Sequence, residues 1–411
     1  MGERISVDEH ARFVRSLLSG LGARPTERVA LADALGRITA SPVESPIDLP
    51  PFRNSQMDGF AVRAADIADA PVELPVSGEV AAAAGAPATL APGTAVRIMT
   101  GAPVPAGADA VVPVEDTERA TSDEAGPDEG RSADHGRVRI LRSRRPGEYV
   151  REAGSDLAAG ADVLPPGLRL APRHLAAAAA SGLTELLVRE RVRIAVVSTG
   201  SELVPPGTRL APGEIPDANG VALVAAARAA GAVVVHEARV RDDVDRLRAE
   251  LDTAHDAGAE LVLTSGGVSK GAYEVVRELL EPLGAWVGSV AMQPGGPQAT
   301  AAYKGMPVIG FPGNPVSAQL SFELFVAPTL RAIAGHAPAA TAQFALAAPL
   351  TSVAGRRQFL RGRRTDDHRV ELVGGPGSHL VAALAASELL IVVPEGVEAL
   401  DAGAIVDTVE L

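Results

Sequence analysis

Residues 192–202 read Val-Arg-Ile-Ala-Val-Val-Ser-Thr-Gly-Ser-Glu. An apolar run rich in β-branched residues stops at a loop of small hydroxyl residues and glycine. That is the form of a strand covered on both faces and ending at an open sheet edge. The theme repeats downstream. Apolar periodicity predicts helices over 220–230, 244–257, 273–280 and 316–333, and strands over 232–236, 261–264 and 307–310. Strands alternating with helices predict a doubly wound, mainly parallel sheet.

Upstream, Ser6 followed by Glu9 is a capping-box start, and apolar residues at helical spacing carry a helix over 6–22, with Gly20 and Gly22 as a stop. From about 42 to 116 the text changes to short apolar runs separated by Pro and Gly, the rhythm of a small β domain. Residues 117–136 hold six acids, two arginines and no large apolar side chain, and read as a solvated loop between strands at 110–114 and 137–141. From about 337 the text returns to strands and turns. The expected fold class is therefore multidomain α/β plus β: a central doubly wound α/β/α domain flanked by small β-rich domains.

The chain has 411 residues, enough for two to four domains at about 150 each. Lys and Arg number 38 against 51 Asp and Glu, a net charge of −13, which argues against a nucleic-acid partner. There is no cysteine, which removes disulfides, thiolate metal sites and cysteine nucleophiles together. The charged start MGERISVDEH is unlike a secretory signal. The uncharged run 282–303 is broken by Pro294-Gly295-Gly296-Pro297, which a bilayer helix would not tolerate. A cytoplasmic protein with no membrane partner is expected.

Ligands of open α/β sheets bind beyond the carboxyl ends of the strands. Three segments fall there: Ser198-Thr199-Gly200-Ser201-Glu202, Thr264-Ser265-Gly266-Gly267-Val268-Ser269-Lys270-Gly271, and Phe311-Pro312-Gly313-Asn314-Pro315-Val316-Ser317. Glycine lets the backbone approach an anion, and N–H groups with Ser and Thr hydroxyls donate to it. Asn314 is placed to cap the last helix, with Pro315 at its first position. Each loop alone is ordinary turn chemistry; three on one sheet edge favour a phosphate or oxyanion ligand. Glu202, Asp242, Asp243 and Glu274 are near enough in this scheme to hold Mg²⁺, which needs only one or two carboxylates beside substrate oxygens. No His-x-x-x-His or His-Glu-x-x-His spacing occurs, so zinc is not expected.

Together with NSQMDGFAVR (54–63) and RIMTGAPVP (97–105), these loops closely resemble the molybdopterin molybdenumtransferase family, that of bacterial MoeA and the homologous domain of gephyrin. The matching segments, which include GEYVREAGSDL and GSHLVAALAASELLIVVPEG, cover nearly the whole chain in the family's order. The resemblance implies four domains: 1–45 with 142–185, elongated; 46–141, an inserted small β domain; 186–336, the α/β molybdopterin-binding domain; and 337–411, a C-terminal β-barrel-like domain. It implies the final step of molybdenum cofactor biosynthesis, in which molybdate enters adenylylated molybdopterin with release of AMP and with Mg²⁺.

It also implies a homodimer of L-shaped subunits whose sites are shared between chains, with a molybdopterin adenylyltransferase as a candidate partner. The carried-over catalytic candidates are Asp58, Thr100, Asp156, Glu202 and Asp242. Those for substrate are Ser198, Thr199, Gly200, Ser265, Gly266, Gly267, Ser269, Pro312, Gly313, Asn314, Pro315, Ser317, Arg361 and Ser378. Those for metal are Asp242, Glu202 and Glu274. This chain departs from the family at Ser201 and Glu274, where Asp is common, and at Ser289, Gln293 and Gly296, where lysines are common. Two other readings stay open: a non-catalytic or divergent molybdopterin-binding scaffold, and a molybdopterin adenylyltransferase.

Overall fold

The computed structural model describes residues 4–83, 85–119, 136–268 and 274–411. The chain forms two compact units: Met1–Glu27 with Gly36–Ile38 and Arg189–Leu411, and Arg28–Leu35 with Thr39–Val188.

The first unit opens with α1 (Val7–Leu17), capped by the Ser6 side chain, which accepts from Glu9 N–H. The helix stops short of the expected 22, and Ser19–Gly22 tightens into a 3₁₀ turn. Then come β1 (Arg193–Thr199), α2 (Ala218–Ala229), β2 (Val233–Val240), α3 (Val244–Asp256), β3 (Leu261–Ser265), α4 (Val275–Leu280), β4 (Trp286–Ser289), β5 (Pro297–Tyr303), β6 (Met306–Phe311) and α5 (Pro315–Ser321). The sheet order is β2-β1-β3-β6-β5-β4. The first four strands are parallel, with Val196 beside Leu263 and Leu263 beside Ile309. β5 and β4 add antiparallel at one edge.

Alternate residues of β1 feed opposite cores, as a pleat covered on both faces requires. Ile194 and Val196 pack in a cluster with Val14, Leu223 and Val316. Ala195 and Val197 pack in another with Leu247, Leu251 and Val276. The arrangement is the expected α/β/α layering. The long helix over 316–333 is interrupted, because Phe322–Val326 is a π turn before the helix Ala327–Ile333. Pro328 has no N–H to give Leu324, which disfavours continued α bonding at this point.

A second sheet follows in the order Met292–Gln293, Arg357–Arg364, Leu389–Val393, Ile405–Glu410, Thr341–Ala345, with Val370–Leu372 beside Arg357–Arg364. Its first strand is lent by the loop between β4 and β5, so the α/β sheet and the C-terminal strands are stitched together at Gln293.

In the other unit, Ala110–Pro113, Gly59–Val62, Ala95–Ile98, Val72–Val80, Arg137–Ile140 and Thr117–Arg119 form a six-stranded sheet in that order. Thr117–Arg119 is thus a strand and not the start of a loop. The rest of the acidic stretch, 120–135, lies outside the described residues. Gly59 is required by proximity, since a Cβ there would collide with the Val112 carbonyl. Among the described residues no helix is long and apolar enough to cross a membrane.

Candidate active site

β1 delivers Thr199 to the sheet edge, where Gly200 N–H donates to the Val240 carbonyl at 3.0 Å. A Cβ on Gly200 would stand 2.7 Å from both Glu202 carboxylate oxygens, so this carboxylate folds back over a glycine. Ser201 and Asp242 bond reciprocally. Ser201 N–H donates to Asp242 Oδ2 at 3.0 Å, and Asp242 N–H donates to Ser201 Oγ at 3.2 Å. The loop after β1 and the segment after β2 are thereby locked.

After β3, Gly266 and Gly267 take φ of +90° and +65°, a left-handed pair natural only to glycine. Gly266 also passes so close to the first loop that a Cβ would lie 2.5 Å from Thr199 O. Pro315 is the first residue of α5, as expected; Asn314 stands at the cap position but its side chain makes no capping bond. The carbonyl of Gly313 instead accepts from Asn219 Nδ2 at 2.7 Å, and Ser378 O accepts from Val316 N–H at 3.1 Å.

These segments surround one cleft of about 990 Å³. Of the residues expected for substrate, Thr199, Gly200, Ser265, Gly266, Gly267, Pro312, Gly313, Asn314, Pro315, Ser317 and Ser378 line it, as do three of the four expected carboxylates, Glu202, Asp242 and Glu274; Asp243 does not, and instead caps α3 by accepting from Arg246 N–H. Ser198 is fully buried and does not line the cleft. Ser269, with Lys270, lies outside the described residues. Arg361 does not line this cleft either. It lines a separate pocket of about 380 Å³ in the C-terminal sheet region, with Nη2 donating to the Gly375 carbonyl. Burial there pulls its guanidinium below the usual arginine range.

Two wall residues escaped the sequence reading, which began the helix at Gly220. Asp217 is 3% exposed; it accepts from Gly220 N–H at 2.9 Å and from Arg239 Nε at 3.2 Å. Asn219 holds Gly313 as described. The Asp-x-x-Gly spacing was the available signal for this cap.

The wall carries unsatisfied polarity. Ser265 Oγ and Asn219 Oδ1 are buried without a hydrogen-bond partner; Ser198 Oγ and Thr264 Oγ1 share that state but do not line the cleft. Buried polar atoms in folded proteins are nearly always paired, so orphans on a cleft wall call for a polar occupant. Among the described residues no group of three His, Asp or Glu could hold a metal ion by itself. Separate hard carboxylates facing one cleft do suit Mg²⁺, which takes its remaining oxygens from substrate and water.

In the other unit, Asp58 and Thr100 meet at the sheet end. Thr100 N–H and Oγ1 both donate to Asp58 Oδ1, at 2.6 Å and 2.8 Å. These bonds, aided by the nearby charge of Arg97, hold the Asp58 carboxyl below the usual carboxylate range. Asp156 is exposed, its N–H donating to Leu49 O at 2.9 Å.

Family profiles describing the MoeA N-terminal region (domain I and II), a probable molybdopterin binding domain and the MoeA C-terminal region (domain IV) match residues 5–182, 195–332 and 343–411. Molybdopterin molybdenumtransferase 2 of Mycobacterium tuberculosis is 43% identical, with 97% of each chain covered. Molybdopterin molybdenumtransferase 1 of the same organism is 35% identical, with 98% of each chain covered. Two solved MoeA proteins from Pyrococcus horikoshii align with TM-scores of 0.79 and 0.71 at 32% and 25% identity, covering 99% and 100% of both chains. With profiles in order along the chain and full-length relatives well above 30% identity, the chain belongs to the molybdopterin molybdenumtransferase family.

Proposed function

We propose that this chain catalyses the final step of molybdenum cofactor biosynthesis, inserting molybdate into adenylylated molybdopterin and releasing AMP. The observation that carries the reading is the convergence of three glycine-and-hydroxyl loops and the Ser378 loop on one cleft whose wall leaves Ser265 Oγ and Asn219 Oδ1 unpaired. The Ser265 and Ser317 hydroxyls bind and orient the phosphate oxygens, and hold charge as it develops on them. No covalent nucleophile is required: water attacking the adenylyl phosphorus breaks the phosphoanhydride with molybdopterin phosphate as leaving group and gives AMP, whereas a molybdate oxygen attacking there gives an adenylyl molybdate that water then cleaves to AMP. When bound by Glu202, Asp242 and Glu274 with substrate oxygens, Mg²⁺ supplies neutralisation of charge on the phosphoanhydride.

The same reading takes the chain as a four-domain cytoplasmic homodimer. Asp58, Thr100 and Asp156 of one chain complete the cleft of the other, and a molybdopterin adenylyltransferase is a partner that hands over substrate. Reconstitution tests the function: the purified chain should consume adenylylated molybdopterin and molybdate. Consumption of ATP with free molybdopterin would point to the adenylyltransferase reaction, and turnover of neither to a scaffold. Mixing inactive Asp58→Asn and Asp242→Asn subunits tests sharing. Roughly a quarter to a half of the activity should return if subunits exchange freely, and mixtures with confirmed exchange that stay dead would show that each chain builds its own site.

A further inference from the structure

The segment between β4 and β5 lines the cleft from Met292 to Pro297. Of residues 294–297 the outer two are prolines, so only Gly295 and Gly296 carry an N–H. Neither N–H makes a hydrogen bond among the described residues. The carbonyls of the same two residues are committed. Gly296 O accepts from Val290 N–H at 2.7 Å, and Gly295 O accepts from Gln298 Nε2 at 2.8 Å.

Gln298 is fully buried on β5. Its Nε2 also donates to Ser321 Oγ at 2.6 Å, on the last residue of α5, while its Oε1 is buried with no partner. A buried amide left half satisfied costs stability, so it has a task here other than stability. The approach is close: Gly295 holds a φ of +107°, and a Cβ there would stand 3.0 Å from Met292 Cε and 3.2 Å from Ser321 Oγ. The Gly295–Gly296 peptide is trans, and a trans peptide sets its N–H opposite its carbonyl. With the carbonyl held inward on Gln298, the Gly296 N–H is turned to the cleft side. Between two glycines such a peptide can rotate as a plate to the reverse orientation at little steric cost. The reversed peptide would offer an entering oxyanion a carbonyl oxygen in place of a donor.

We propose that Gln298 is a positioning residue of this cleft: it locks the Gly295–Gly296 peptide with its N–H outward, and so keeps the loop receptive to the oxyanions of the substrates. The proposal rests on the reading that the cleft takes adenylylated molybdopterin and molybdate.

Gln298→Met keeps the length of the side chain and removes both of its bonds. Loss of the unpaired Oε1 offsets loss of the bonds, so the melting temperature should stay within a few degrees of the parent's. Calorimetry on the full-length protein should then show molybdate bound about tenfold more weakly. Gln298→Leu is the second variant should Met disturb the packing. Ser321→Ala removes the other bond of the same amide and leaves the Gly295 contact, so it should bind molybdate as the parent does.

The double variant Gln298→Met, Gly296→Ala decides the mechanism. Rotation of the peptide swings the φ of residue 296 by about 180°, away from its present range and into one that glycine accepts and alanine resists. Alanine there should restore most of the lost affinity, which a purely structural role of Gln298 would not produce. The proposal is overturned if folded Gln298→Met binds molybdate as the parent does, if Ser321→Ala loses as much affinity, or if Gly296→Ala fails to rescue. A parent that binds no molybdate at millimolar concentration would overturn the reading of the cleft itself, and the proposal with it.

Discussion

One oxygen of Asp58 accepts both donors of Thr100, the amide at 2.6 Å and the hydroxyl at 2.8 Å, with both residues exposed at the end of their sheet. The pair is a carboxylate held ionised by its neighbour. Because the bonds favour the charged form, Asp58 keeps its proton off to lower pH than an ordinary aspartate. The interaction is therefore present above the ordinary value and lost as pH falls through the lowered one. Thr100→Val removes the hydroxyl and leaves the amide, so the Asp58 carboxyl should titrate closer to the ordinary range. Carbon-13 NMR of the carboxyl reads this directly, and an unchanged titration would show that the hydroxyl contributes nothing.

Asp242 is committed to Ser201 through one oxygen and lines the cleft. Asp242→Asn should raise the Mg²⁺ concentration needed for half-maximal turnover, with little change in melting temperature. The same Mg²⁺ dependence in variant and parent would remove this residue from the metal site.

Gly296 lines the cleft and does not use a left-handed φ, unlike its neighbour Gly295 at +107°. A Cβ there would meet Ser289 Oγ at 3.3 Å and Val290 O at 3.4 Å, tight contacts that small shifts relieve. Gly296→Lys should therefore fold and add a cation facing the same anions. Up to about tenfold tighter molybdate binding is expected, worth about 1.4 kcal/mol, with the gain falling at high salt. A folded variant with parental molybdate affinity would sink the idea that this loop lacks an anion-holding charge.

His10 is fully buried against Phe325 and Trp286, at ring distances of 4.6 Å and 5.0 Å, with neither nitrogen hydrogen-bonded. Burial pushes its pKa down from 6.5 to about 4. The unfolded chain takes a proton below 6.5 and the folded one refuses it until about 4, so stability is full above the first value and drains away between them. The loss totals about 3 kcal/mol at 1.36 kcal/mol per unit. His10→Met should flatten the pH dependence of denaturant-induced unfolding over that window. A parent whose stability is level from pH 7 to pH 4.5 would contradict it.

The parallel heart of the sheet was legible because β1 and β3 are apolar without interruption, as strands covered on both faces must be. β4 and β5 were not. They lie in the uncharged run 282–303, where small residues such as Ala299, Thr300 and Ala301 carry no clear period and Pro294 with two glycines breaks the text. The loops at Gly200, Gly266 and Gly313 were legible from glycine and hydroxyl chemistry. The far wall was less so: Arg356 comes from a segment whose local sequence says only strand and turn, and tertiary pairing through Gln293 brings it in. Asp217 and Asn219 were hidden for a smaller reason, a helix start read two residues late.

The cluster that buries β1 also takes in Val7 and Val14 of α1 and Leu390 of the C-terminal sheet, and Asp8 is tied to Arg357 across 349 positions. On the ribosome that separation is a delay. At 5–20 residues per second, α1 waits roughly 20–70 s for the strand that completes its surroundings. Through that interval its surroundings are incomplete, which makes the nascent chain a natural client for a holding chaperone and ties the yield of active protein to the pace of synthesis as much as to the strength of the finished fold.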